Sequence, residues 1–398
     1  MQSKTFARIL ATAGAIAAAA SVTGPAKADD AKVRGVSKTE VVLGMDTDLS
    51  GPAASFGVPV VNALRLRLDE VNAAGGIYGR KIRVIVEDTQ YQVPKAVQAA
   101  NKLINSDNIF AMVGQLGTPM NNAVFDNQFK ANVPNLFPLS SARSMYEPFN
   151  HLKFALAASY YDQMRAGVKW LVETKNKKIV CAMYQDTDFG ADVFAGVKAQ
   201  VAAMNMKLGE VTTHKPTDTD FTAQISKLRD AKCDLVALGA IVKDAIIPYS
   251  TARKLGWTDV DFIGAASTYD QNVAAAQGGV TEGLYAMGLD PIPYRDTASP
   301  VVVQWIDKYK ARYGADPNIG AVYGWVLMDI TILALDRAGP NLTVESLIKG
   351  LESIDGYHDI FGGPSITLTS TRHQGANSSF VAVVKGGRWS KITDPVSY

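Results

Sequence analysis

Residues 41–88 read VVLGMDTDLSGPAASFGVPVVNALRLRLDEVNAAGGIYGRKIRVIVED, and the change of period inside this stretch sets the fold class. Val41 to Asp46 is a short apolar run of strand length. Val61, Leu64, Leu68 and Val71 then recur at intervals of three and four residues, the spacing of a helix with one apolar stripe. Gly75-Gly76 ends that helix, because glycine tolerates the left-handed backbone of a helix C-terminus. Ile82, Val84 and Val86 alternate as a second strand. A strand, a helix and another strand in this order imply parallel pairing, with the helix covering one face of the sheet.

The same alternation continues outward. Pro94 opens the next helix, Ile109 to Val113 is a strand, and Thr118-Pro119 reads as N-cap and first helical residue. The pattern restarts near residue 159. Helix Tyr160 to Glu173 leads to strand Ile179 to Tyr184, then to a helix with Val193, Val197 and Val201 on one face. Strand Leu208 to Thr212, helix Phe221 to Arg229 and strand Asp234 to Gly239 follow. The expected fold class is α/β, with two lobes, each a parallel sheet flanked by helices. No low-complexity linker separates the halves, so crossing segments are expected to join them and to act as hinges.

In open parallel sheets, ligands bind beyond the carboxyl ends of the strands. The loops there are Leu49 to Gly57, Gly114 to Pro119, Leu139 to Ser144, Gln185 to Gly190, Gly239 to Asp244 and Gly264 to Asp270. Helix N-termini open into the same space and favour an anionic group.

The first thirty residues differ from the rest. Lys4 and Arg8 precede an apolar, alanine-rich run from Ile9 to Val22, and Ala26-Lys27-Ala28 offers small residues at the positions a signal peptidase reads. Residues 1–28 are therefore expected to be a secretory signal peptide, and the mature protein to be soluble in the periplasm. Cleavage removes Lys4, Arg8 and Lys27 and no acid, which takes the net charge from +2 to −1. After residue 30 no apolar stretch reads as long enough to cross a membrane.

A near-neutral chain with 20% charged residues lacks the basic excess of a nucleic-acid surface. His151, His214, His358 and His373 are not spaced as metal pairs, and no phosphate-binding glycine loop or nucleophile elbow occurs. No enzyme activity, metal or cofactor is expected. Cys181 and Cys233 lie in or beside apparent strands. They read as two separate core thiols or as a disulfide suited to an oxidising compartment.

Three segments carry a family resemblance: Leu49-Ser50-Gly51-Pro52-Ala53-Ala54-Ser55-Phe56-Gly57, then Val71 to Ile82 with its Asn-Ala-Ala-Gly-Gly-Ile core, then Glu87-Asp88 followed by Pro94, Ala96, Ala99 and Ala100. With them the chain resembles the branched-chain amino-acid (Leu/Ile/Val-binding) type of periplasmic solute-binding protein, which serves ATP-binding-cassette importers. The resemblance spans about Thr39 to Tyr398. It implies a type I fold with three crossings, lobe 1 at 36–158 plus 286–365 and lobe 2 at 159–285 plus 366–398. It also implies a monomer whose partners are membrane permease and ATPase subunits.

In amino-acid binders of that family, hydroxyls and backbone N–H groups hold the ligand carboxylate; the matching loops here contain Thr118, Ser140 and Ser141. Acidic side chains there face the ligand ammonium, whereas the matching positions here are Ala266 and Tyr160. Asp162 or Asp270 could compensate from two to four residues away. Phe56, Tyr160 and Phe189 are expected to cover the ligand body. The resulting expectation is a small organic carboxylate, favoured to be an aromatic acid, captured by lobe closure. The alternatives are a branched-chain amino-acid, amide or urea binder on the same fold, and a ligand sensor without a transport role. Mature protein from the exporting host should begin at Asp29 on N-terminal sequencing; an intact Met1 in a membrane fraction would contradict this.

Overall fold

The computed structural model describes residues 33–398; the expected signal peptide lies outside them. The first half of the chain runs β1 (Glu40–Thr47), α1 (Ala54–Ala73), β2 (Lys81–Asp88), α2 (Val93–Asn105), β3 (Ala111–Val113), α3 (Thr118–Lys130), β4 (Asn135–Leu136) and β5 (Lys153–Phe154). The second begins with α4 (Tyr160–Lys175), β6 (Val180–Gln185), α5 (Asp188–Ala203), β7 (Val211–His214), α6 (Thr222–Asp230), β8 (Leu235–Gly239), α7 (Val242–Lys254), β9 (Asp261–Gly264), α8 (Gln271–Ala274) and β10 (Tyr285–Gly288). Then come α9 (Pro300–Tyr313), α10 (Ile319–Ala338), α11 (Val344–Glu352), β11 (Phe380–Lys385) and β12 (Arg388–Lys391).

Two sheets result. The first has the order β2-β1-β3-β4-β5 and is parallel throughout. The second has the order β12-β11-β10-β9-β8-β6-β7; it is parallel from β7 to β10, and β11 and β12 are antiparallel. Central strands are buried on both faces: Val41 to Thr47 of β1 and all of β8. This explains their near-continuous apolar runs.

The chain leaves the first sheet after β5, leaves the second after β10, and returns to it as β11. Because β10 ends at Gly288, the expected boundary at 285/286 falls inside that strand. Two of the crossing segments lie side by side. Ala155 N–H donates to His373 O at 2.9 Å, Gly375 N–H donates to Ala155 O at 2.9 Å, and Ala376 N–H donates to Leu156 O at 2.8 Å.

α10 corrects the expectation about apolar stretches. It has the length and composition of a membrane span, but 78% of its most apolar window is buried within the protein. It packs on α1, and Gly324 permits the close approach: a Cβ there would lie 2.1 Å from Val60 O. Cys181 and Cys233 form a disulfide between β6 and the turn before β8. Of the two readings open in the sequence, the paired one is observed.

Asp46, the last residue but one of β1, lies inside the core at 0% exposure. Gln115 Nε2 donates to its Oδ2 at 2.8 Å, while Oδ1 has no partner among the described residues. Burial pushes its carboxyl up to about 8. The unfolded-state value is near ~3.9, so the folded state holds this proton more tightly. That contribution to stability is full below about pH 4 and is lost as pH rises through 8. Urea-unfolding free energies should therefore fall between pH 5 and 8.5, and Asp46→Asn should remove one proton's share of the slope, at most ~1.4 kcal/mol per pH unit.

Candidate functional site

The strand-to-helix loops of both sheets converge on one cavity. Asp48, fully buried, folds the first of them: its Oδ1 accepts Gly51 N–H at 2.5 Å and its Oδ2 accepts Ala53 N–H at 2.7 Å. This turn sets Pro52, Ser55 and Phe56 against the cavity. Gly117, with φ 98°, turns the chain from β3 into α3, and Pro119 fixes the first helical turn. Thr118 is thus the first helical residue, and Gly117 occupies the N-cap position expected for Thr118. A threonine-proline pair suggests a side-chain cap, but the left-handed turn needs glycine. The Thr118 hydroxyl is left for other work and shares a 2.8 Å hydrogen bond with Ser140 Oγ.

All seven residues singled out in the sequence line this cavity, which has a volume of about 150 Å3: Phe56, Thr118, Ser140, Ser141, Tyr160, Phe189 and Ala266. Thr118, Ser140 and Ser141 stand together on the first-sheet side. Their backbone N–H groups donate to no partner among the described residues. Tyr160 N–H donates to Ser141 O at 2.8 Å, which brings the start of α4 against the same group. Burial pushes the Tyr160 hydroxyl up to about 12, so it stays a neutral donor. The Tyr160 and Phe189 rings meet edge-to-face at 5.0 Å, and Phe56 lies 6.0 Å from Tyr323.

Phe189 is 2% exposed and belongs to the second sheet's core as well as to the cavity wall. Of the two aspartates that could compensate for Ala266 and Tyr160, Asp270 reaches the cavity. Ala266 does line it, with its N–H donating to Gln163 Oε1 at 2.8 Å, but Asp270, Asp290 and Asp359 line it too. Asp162 is not in the wall; its Oδ2 accepts Ser159 Oγ–H at 2.7 Å and its Oδ1 accepts the Tyr398 hydroxyl. Tyr91 and Tyr323 are further wall residues that the sequence left unmarked. Tyr91 follows β2 and so occupies one more strand-to-helix loop. Tyr323, Asp290 and Asp359 fall in 286–365, where no motif points to a site.

The described residues hold no group of three or more His, Cys, Asp or Glu side chains arranged for a metal.

The family whose description is periplasmic binding protein matches residues 40–388. The chain belongs to this family. Among relatives of this binding protein, the leucine-, isoleucine-, valine-, threonine- and alanine-binding protein of Pseudomonas aeruginosa is 23% identical over 304 residues, covering 75% of this chain and 79% of its own. Leu/Ile/Val-binding protein homolog 7 of Brucella abortus is 24% identical, covering 75% and 77%. The fold matches that of a fatty acid transporter substrate-binding protein from Thermomonospora curvata, with TM-score 0.83, 24% identity and coverage of 92% and 95%. It also matches a branched-chain amino acid transporter protein from Thermus thermophilus with bound valine, with TM-score 0.82, 18% identity and coverage of 91% and 98%. These likenesses establish the type I binding-protein fold, while the ligands named for these proteins range from amino acids to a fatty acid.

Phe189→Ala should lower the stability of this binding protein by about 3 kcal/mol, the usual cost of deleting a buried ring. Urea denaturation would show it, and Phe189→Leu should recover most of the loss.

Proposed function

We propose that this chain is the periplasmic solute-capturing component of an ATP-binding-cassette importer and that it binds a small organic carboxylate. The observation that carries the reading is the convergence of Thr118, Ser140 and Ser141, with two bonded hydroxyls and three N–H groups that have no partner among the described residues, at the start of α3. Hydroxyls and backbone N–H groups at a helix N-terminus suit a carboxylate without needing a buried arginine. Tyr160, Phe189 and Phe56 supply flat walls, which support an aromatic body for that acid.

Capture would work by closure of the two sheet-centred halves, here taken as lobes with crossings near 155–158, 289–291 and 366–376. A ligand touching loops of both halves stabilises the closed form because only that form makes both sets of contacts. Permease and ATPase partners, export and the absence of an enzymatic role accompany this proposal through the family. A second reading, an amino acid, amide or urea ligand, draws support from the aspartates in the wall.

Calorimetry on mature protein stripped of bound solute tests the carboxylate end. Benzoate should bind more tightly than benzamide. Thr118→Ala combined with Ser141→Ala should weaken benzoate binding by ~2–4 kcal/mol, roughly 1–2 for each hydrogen bond to a charged group. Equal affinity for benzoate and benzamide, or an unaffected and folded double variant, would remove the cradle from the site.

A further inference from the structure

Behind the loops that carry Thr118 and Ser140 lies a buried amide network. Asp46, Gln115, Asn121 and Asn135 form it, and none of the four lines the cavity. Its hydrogen bonds have a fixed sense. Asn135 Nδ2 donates to Gln115 Oε1 and to Asn121 Oδ1, each at 3.2 Å, and Gln115 Nε2 donates onward to Asp46 Oδ2 at 2.8 Å. Asn121 Nδ2 directs its two hydrogens at backbone carbonyls, Gly117 O at 2.8 Å and Gln115 O at 3.0 Å. Turned the other way, the Asn121 amide would set its oxygen against both carbonyls and its NH2 against that of Asn135, so the network admits one orientation.

Both carbonyls are held twice. The backbone N–H of Asn121 also donates to Gly117 O, at 3.1 Å, as the first helical hydrogen bond of α3. Leu139 N–H also donates to Gln115 O, at 2.9 Å, and Gly117 N–H donates to Leu139 O at 3.3 Å. A peptide unit is planar and trans, so a carbonyl fixed on one side aims the N–H that follows it to the other. Holding Gly117 O thus aims Thr118 N–H out of the helix N-terminus. Holding Leu139 between Gln115 and Gly117 aims Ser140 N–H in the same way.

We propose that Asn121 is a positioning residue for anion capture: it lies outside the cavity wall, and by tying Gly117 O to Gln115 O it keeps Thr118 N–H and Ser140 N–H turned toward the solute. This rests on Thr118, Ser140 and Ser141 being the anion cradle. Gly117, at φ 98°, has no side chain to restrict its rotation, so the turn needs an outside hold. Without Asn121 an arriving carboxylate would have to order the turn itself, and that ordering would be subtracted from its affinity. A neutral amide draws less on the aimed N–H groups, because hydrogen bonds to charged acceptors are the stronger ones. Loss of Asn121 should therefore reduce discrimination between acid and amide, not binding in general.

Calorimetry with benzoate and benzamide on solute-stripped mature protein provides the test, read as the ratio of the two affinities. Asn121→Leu fills the space without the donors, and Asn121→Ser is the second variant where the apolar side chain prevents folding. Phe125→Leu, one turn further along α3 and in a separate apolar cluster, is the control for stability lost with the carbonyls still held. Thermal melts confirm that each variant folds. The Asn121 variants should weaken benzoate roughly tenfold or more and leave benzamide within about threefold. Phe125→Leu should lower the melting temperature and keep the parent's ratio. An unchanged ratio in a folded Asn121 variant would overturn the positioning role and leave the cradle standing. An equal loss of ratio in Phe125→Leu would overturn it too, since any loosening of α3 would then suffice. If the parent protein itself binds benzamide as tightly as benzoate, the cradle and the positioning role fall together.

Discussion

Parallel strands force every strand-to-helix turn onto one edge of a sheet, because each helix must carry the chain back before the next strand can start. In this protein that constraint acts twice, and the two edges bound one space. The loops after β1, β3, β6, β8 and β9 all contribute to its wall. Loops so placed cannot bury their own backbone groups in a ladder. They leave N–H donors and hydroxyls to be satisfied by side chains or by whatever enters. Asp48 shows the internal solution, with one carboxylate folding a whole turn. Thr118, Ser140 and Ser141 show the other, with their donors kept available.

The cavity is electrically divided. Among the described residues, one side offers donors without positive charge, and the other offers carboxyls without a counter-ion. Each would be unfavourable in an ordinary core, where an unpaired polar group costs roughly 1–3 kcal/mol. Folding must carry that cost through the large apolar clusters behind the loops, where Val236, Leu238 and Phe262 are fully buried. The same strands thus carry two layers: apolar residues along their length and polar ones at their carboxyl ends. Asp46 at the end of β1 marks where one layer gives way to the other.

Much of this was legible in the sequence because period and position carry it. Val41 to Asp46 matches β1 to within a residue at each end, and the stripe from Val61 to Val71 lies on α1. All seven marked residues line one cavity because loops at strand ends can be located from the strands alone. The misses have physical causes. The strand expected at Leu208 begins at Val211, since apolar side chains there pack from a loop. The Cys181–Cys233 pairing depends on β6 lying beside β8, and nothing local encodes that register. Asp290, Tyr323 and Asp359 reach the cavity only because the chain crosses back after β10, so their place in the wall is a property of topology.

The paired crossings at Ala155 and Gly375 also say what kind of joint connects the halves. Two hydrogen-bonded extended segments make a ribbon, and a ribbon resists stretching and sliding far more than bending or twisting. Relative motion of the halves is thereby confined to a few soft coordinates. A flexible tether would instead have to surrender roughly 1–2 kcal/mol of backbone entropy for each residue fixed on closing. With the joint already ordered, most of that loss is taken once, during folding.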